Sequence, residues 1–206
     1  MSPQDEIFNE DRRDALQEIV NIAMGQAGSS LATVLGKFVE LSIPKFYLSD
    51  VSKEEGFAAD SQTPDKQVIV VKQPFAGELR GEALVLISSQ DDLTMADLMG
   101  YDESLTAEQE EELLLDVSNI LSGACLNGLV EQLGLKISFS APSILGLDIS
   151  EAELLAEYIR DWHYALIMEV NFTLEECTFS SNLLFFMTED SFPPLMKSID
   201  ELLASF

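Results

Sequence analysis

Basic side chains are scarce in this chain of 206 residues. Its 11 Lys and Arg stand against 37 Asp and Glu, a formal net charge of −26. So acidic a surface repels polyanions, which excludes nucleic acid as an expected partner and disfavours anionic membranes. Cysteine is nearly absent. Cys125 and Cys177 are the whole complement, too few for a disulfide framework, so a reduced, cytoplasmic protein is expected. The one histidine, His163, has no second ligand close by in sequence, and zinc-type spacing is missing. The expectation is therefore no metal site of the chain's own. No uninterrupted apolar run reaches the length of a membrane span, so no membrane insertion is expected. Residues 1–13 are charged and lack the apolar core of a signal peptide.

What remains is a globular composition. Hydrophobic residues make up 47% of the chain, enough at this length to bury a core without covalent staples. Helical periodicity is strong from residue 11 to about 36. Leu16, Ile19, Val20, Ala23, Met24, Ala27, Leu31 and Val34 fall on one side at about 100° per residue. A second long helix is expected from the cap Thr106 to about 133, with Gly36 and Gly134 as stops. Acidic residues crowd its first turns, where they suit the positive end of the helix dipole. Strands are expected over 39–48, with Pro44 inside, and over 67–72, 82–88, 136–140, 164–172 and 178–187. Short helices are expected over 93–99, after Asp91 or Asp92, and over 192–203, after Asp190. Residues 145–162 read as either a loop or a connection holding a short helix over 151–159.

The two halves also repeat a sparse pattern 98 positions apart. The first copy is Asp14, Glu18, Asn21, Gly25, Leu31, Leu35, Gly36, Ser42, Pro44. The second is Glu112, Asp116, Asn119, Gly123, Leu129, Leu133, Gly134, Ser140, Pro142. The expected fold is α+β: one domain over 1–206, built from two repeats at about 10–100 and 107–205. Each repeat runs helix, strand, strand, strand, short helix. A mostly antiparallel sheet packs against the two long helices under a pseudo-two-fold axis.

Within each copy the first four residues step by four, three and four, so they line one polar side of their helix. A single acid and amide there would be an ordinary solvated face. Duplication explains two similar copies, but not why the polar stripe stayed alike while most surface positions drifted. Gly25 and Gly123 are the less expected members, because glycine in mid-helix costs about 0.5–1 kcal/mol relative to alanine. Either another surface approaches there or the helix packs closely on a neighbour. An asparagine has no titratable proton near neutral pH, but it can position a water as donor and acceptor. A carboxylate stays charged and can pair with a lysine. Such a pair has no nucleophile or phosphate cradle of its own and suits a protein that docks into another protein's site.

The spacing Asp-x3-Glu-x2-Asn, with proline 23 residues after the asparagine, resembles the CheC/CheX/FliY phosphatases of chemotaxis. The resemblance spans residues 10 to 205. It implies a phosphatase that hydrolyses the phospho-aspartate of a CheY-like response regulator. By that resemblance Asn21 and Asn119 orient the attacking water, and Glu18 pairs with the regulator's lysine, with Asp116 in the equivalent place. Asp14, Gly25, Glu112 and Gly123 complete the docking stripes. No cofactor of its own is implied, since Mg²⁺ belongs to the receiver domain. The deamidase CheD is implied as a further partner. Asp116 departs from the pattern, being one methylene shorter than glutamate, and Glu112 stands where Asp or Ser is usual. Two motifs in one chain resemble CheC rather than CheX. With about ten residues before the first helix and none past the last, the expectation is CheC rather than FliY. Two competing readings stand beside the enzyme: a binding module for a receiver domain or for CheD, and a structural duplicate with solvated stripes.

Overall fold

The computed structural model describes residues 9–36, 39–42, 45–50, 66–88, 105–160, 164–174 and 180–204. The first helix, α1, spans Glu10–Leu35. Asn9 caps it by accepting a hydrogen bond from the Arg12 backbone N–H. Gly36 ends it at φ +64, a left-handed conformation that glycine adopts without strain. Strands β1 (Val39–Leu41), β2 (Lys45–Asp50), β3 (Gln67–Gly77) and β4 (Gly81–Ser88) follow. The second long helix, α2, spans Ala107–Gln132. Thr106 and Gln109 cap it reciprocally, and Gly134 beyond it repeats the left-handed stop. Then come β5 (Ile137–Phe139), β6 (Ser143–Ser150), α3 (Glu151–Arg160), β7 (Tyr164–Leu174) and β8 (Ser180–Met187). A 3-10 turn, Glu189–Ser191, leads into α4 (Phe192–Leu203), with prolines in its first turn.

The strands form one eight-stranded sheet in the order β1-β7-β8-β4-β3-β5, with β2 also on β7 and β6 also on β3. Every pairing is antiparallel. Exchanging the strands of the two halves reverses this order and leaves it otherwise unchanged. Leu84 opposite Leu184 marks the centre of the pseudo-dyad.

Two expectations need correction. Among the described residues each half contributes four strands, not three: β1 is separate from β2, and β5 is separate from β6 at Pro142. Both members of each pair still dock on the same neighbour, β7 for the first and β3 for the second. In the ambiguous stretch the short helix expected over 151–159 is present as α3, and the strand β6 before it was not expected. β6 is irregular: its register on β3 shifts twice, and Asp148 has φ +53. The expected helix over 93–99, Cys177 and His163 lie outside the described residues.

Strand alternation sorts the sheet into two buried faces. Ile69, Val71, Phe75, Ala83, Val85, Ile87, Leu183, Phe185 and Met187 point to the side covered by α1, α2 and α4. Val68, Val70, Leu84, Leu86, Leu184 and Phe186 point to the other, where Ile149, Leu154 and Tyr158 cover them. Tyr158 stands edge-on to Phe186, and its hydroxyl donates to Glu82. On the first side α1 and α2 pack together closely. A Cβ on Gly128 would lie 2.9 Å from the Ala23 carbonyl oxygen. α2 is long and apolar enough by composition to cross a membrane, but it is the central core helix, with 61% of its most apolar window buried.

Candidate functional site

On α1 the apolar residues Leu16, Ile19, Val20, Ala23, Met24, Ala27 and Leu31 are buried against the sheet and α2. Helical phase then forces the stripe outward, and Asp14, Glu18, Asn21 and Gly25 are all exposed. Asn21 Oδ1 accepts a hydrogen bond from Gln17 Nε2 at 3.1 Å. Both groups are exposed, and a pair at this spacing contributes only about 0.2–0.5 kcal/mol. Beside Asn21, Ile22 is an exposed large apolar side chain, 44% accessible. A Cβ built on Gly25 meets nothing within 4 Å. Close packing therefore does not account for this glycine, and it leaves a bare patch one turn beyond the amide. Arg12, near the start of α1, makes a two-pronged ion pair with Asp200 of α4, both bonds at 2.8 Å.

The second stripe follows the same plan. Glu112, Asp116 and Asn119 are exposed and Gly123 is half-buried. The nearest atom to a Cβ on Gly123 would be Asn127 Nδ2, at 4.0 Å. The surroundings of its asparagine differ. Gln73, on β3 and 1% exposed, reaches up beneath α2. Its Nε2 lies 2.5 Å from Asn119 Oδ1 and 3.2 Å from the Ser140 carbonyl oxygen. Its Oε1 accepts from the buried Ser122 hydroxyl. Ser140 is itself pinned to β3 by its backbone N–H, which donates to the Pro74 carbonyl at 2.9 Å. Gln73 was not among the residues singled out from the sequence. The signal was there: it is the one polar side chain in the helix-facing row Ile69, Val71, Gln73, Phe75.

Each stripe is thus assembled on its own helix, and Gln26 and Gln132 hydrogen-bond across the two helices at 3.3 Å. Among the described residues no hydrogen bond joins Glu18 to Asn21 or Asp116 to Asn119, and neither carboxylate is held in an ion pair. Both are available to an incoming cation. No three His, Cys, Asp or Glu side chains among the described residues cluster as a metal would require. Cys125 is core: burial pushes its thiol up to about 12, which keeps it protonated and unreactive. The stripes can thus offer amide hydrogen bonds, negative charge and close approach, but no nucleophile.

A duplicated α+β domain with an acid–amide stripe on each long helix defines the class of protein. The CheC-like family matches at residues 12–48, which takes in α1 from Arg12 onward, its stripe and Pro44. The flagellar motor switch phosphatase FliY of Bacillus subtilis (strain 168) is 25% identical over 155 residues, 72% of this chain. The chain spans about two fifths, 39%, of that relative's length. The crystal structure of Thermotoga maritima FliY superposes with a TM-score of 0.64 at 19% identity, covering 94% of this chain and 98% of that one. CheX in the CheX–CheY–BeF3–Mg complex of Borrelia burgdorferi superposes at 0.50 with 15% identity, over 82% of this chain and 97% of that one. These likenesses give the chain the fold of the CheC/CheX/FliY proteins and a CheC-like first helix. CheC-like and FliY proteins both stand among its relatives, so the likeness extends beyond the two-motif CheC form.

Proposed function

We propose that this protein is a cytoplasmic phosphatase that hydrolyses the phospho-aspartate of a CheY-like receiver domain. One observation carries the proposal: two helices each present an exposed asparagine, with a carboxylate one turn before it and a bare glycine one turn after. The CheX relative in complex with CheY supports a CheY-like partner, and the FliY relative is a phosphatase by name.

In this reading the helix lies across the receiver's phosphorylation site. Glu18 pairs with a receiver lysine and sets the register. The amide of Asn21 or Asn119 enters beside the phosphoryl group and hydrogen-bonds a water in line with the acyl bond. The water oxygen attacks phosphorus and the bond from phosphorus to the aspartyl oxygen breaks. Aspartate and inorganic phosphate leave, with the water's proton passing to phosphate or solvent. The metal that neutralises the phosphoryl charge is Mg²⁺ held by the receiver. Correct placement of reactants supplies up to about 7–11 kcal/mol of a barrier in well-oriented systems. Docking through an exposed acid–lysine pair is salt-sensitive.

The test is the lifetime of the phosphorylated regulator with and without this protein. Faster decay, lost on Asn21→Ala with Asn119→Ala, supports the proposal. A second reading, a binding module for a receiver or for CheD, is favoured at the second stripe by the shorter Asp116. Tight binding with an unchanged phosphate lifetime selects it.

A further inference from the structure

We infer that Gln73 is a positioning residue for Asn119, and that it makes the second stripe a preset site with its amide nitrogen turned outward. This inference rests on the phosphatase reading for its catalytic consequence, though not for its geometry.

The orientation follows from a chain of donors and acceptors that begins at a backbone carbonyl. Ser140 C=O can only accept, so the Gln73 group 3.2 Å away is the Nε2 amide. The same nitrogen lies 2.5 Å from the Asn119 side chain. Asn119 must therefore turn its own oxygen inward to accept, which leaves its Nδ2 facing out. At the other end Gln73 Oε1 is an acceptor, so Ser122 supplies the proton. Flipping Gln73 would set its oxygen against the Ser140 carbonyl oxygen, with no proton between them. The anchor is well held, since Gln73 is 1% and Ser122 0% exposed. Asn119 is thus an exposed amide with a buried root.

Among the described residues no such root is seen under the first stripe. The register equates Gly77, opposite Ile137, with Leu174, opposite Val39. That sets β3 and β7 97 positions apart and puts Val170 in the place of Gln73. At the 98-residue offset of the helices, Val20 and Met24 stand where α2 has Ser118 and Ser122. Gln73 and Ser122, whose side chains bond each other, are polar, and the residues at the equivalent positions in the other half, Val170 and Met24, are apolar in the sequence. One substitution could be drift, but matched changes on two separate elements make a single device. It also assigns a role to the repeated Ser–x–Pro in the second copy. The strand break there frees the Ser140 carbonyl from the ladder to hold Gln73. The two sites then divide the work: Asn21 adapts on docking, whereas Asn119 meets the receiver with its donor already aimed. Preset aim compensates for the shorter reach of Asp116.

The experiment has two arms on the intact chain. Side-chain ¹⁵N relaxation should show the Asn119 amide as rigid as the backbone and the Asn21 amide mobile, with Gln73→Met releasing Asn119. In the kinetic arm Asn21→Ala isolates the second site. Adding Gln73→Met or Gln73→Glu should lower kcat for receiver dephosphorylation by about 10–100-fold, with KM for the receiver retained. Added to Asn119→Ala, the same substitutions should make no further difference. Gln73→Met replaces the amide by an apolar chain of similar length, so it keeps the test alive if the glutamate variant fails to fold. Equal mobility of the two amides, or an Asn21→Ala enzyme indifferent to Gln73, overturns the inference while leaving the phosphatase reading intact. A rigid Asn119 in a protein with no activity overturns the phosphatase reading and the catalytic role, but upholds the tether.

Discussion

Alanine at position 25 should make this protein more stable and, on the proposed function, slower at receiver dephosphorylation. Gly25 is an exposed glycine inside a 26-residue helix, where glycine is less favourable than alanine by about 0.5–1 kcal/mol. The new Cβ meets nothing within 4 Å, so no packing cost offsets the gain. For a domain of this size about 1 kcal/mol shifts Tm by about 2–4 °C. The expected rise is therefore about 1–4 °C, measured by thermal unfolding followed by circular dichroism. Gly128→Ala is the matched contrast. It carries the same propensity gain, but its Cβ lies 2.9 Å from the Ala23 carbonyl oxygen and 3.4 Å from the Ala23 carbonyl carbon and Cα. The obstacle is the backbone of the neighbouring helix, which cannot rotate aside. Overpacking of this kind costs about 1–3 kcal/mol, so Gly128→Ala should be neutral to destabilising. In the activity assay, with the second site removed by Asn119→Ala, Gly25→Ala should slow dephosphorylation about tenfold or more, because the methyl group holds the receiver off the amide. A fall in Tm on Gly25→Ala would refute the structural half of this reasoning. A full rate would refute the docking half.

Two further predictions concern the core and the helix ends. In a Cys177→Ser background the remaining thiol, Cys125, should resist iodoacetamide in the native protein at pH 8 and react only on unfolding. Its pKa is raised in the fold, so its contribution to stability is complete below the ordinary thiol value of 9.0 and is lost as pH rises toward about 12. The Arg12 guanidinium beside Asp200 holds that carboxyl below its ordinary value of 3.8. The stabilisation is present above that value and lost as pH falls through the lowered one. Asp200→Asn should therefore flatten the acid limb of a stability–pH curve, and added salt should shrink the difference.

Much of this was legible because it is encoded locally. Thr106, Gly36 and Gly134 mark helix ends through capping geometry alone, and a 98-residue repeat of Asp/Glu–Asn–Gly needs no structure to be seen. The exposure of Asp14, Glu18 and Asn21 followed from the phase of Leu16, Val20 and Ala23. What escaped depends on partners distant in sequence. β6 was ambiguous because Leu145 and Leu147 are exposed large apolar side chains and the turn at Asp148 breaks the alternation that marks a strand. The separation of β5 from β6 depends on how Pro142 is accommodated between two strands that share one neighbour. Gln73 escaped because its meaning lies 46 residues away at Asn119. Only the pairing of β3 with β5, under α2, reveals that an odd polar residue in an apolar row is the root of a surface amide.

The most direct measurement of the central claim is the decay of a phosphorylated CheY-like regulator in four parallel reactions: wild type, Asn21→Ala, Asn119→Ala and the double variant. The account predicts accelerated decay with wild type, partial acceleration with each single variant, and the regulator's own rate with the double variant, although it still folds and binds. Acceleration that survives in the double variant, or no acceleration by the wild-type protein, would contradict it.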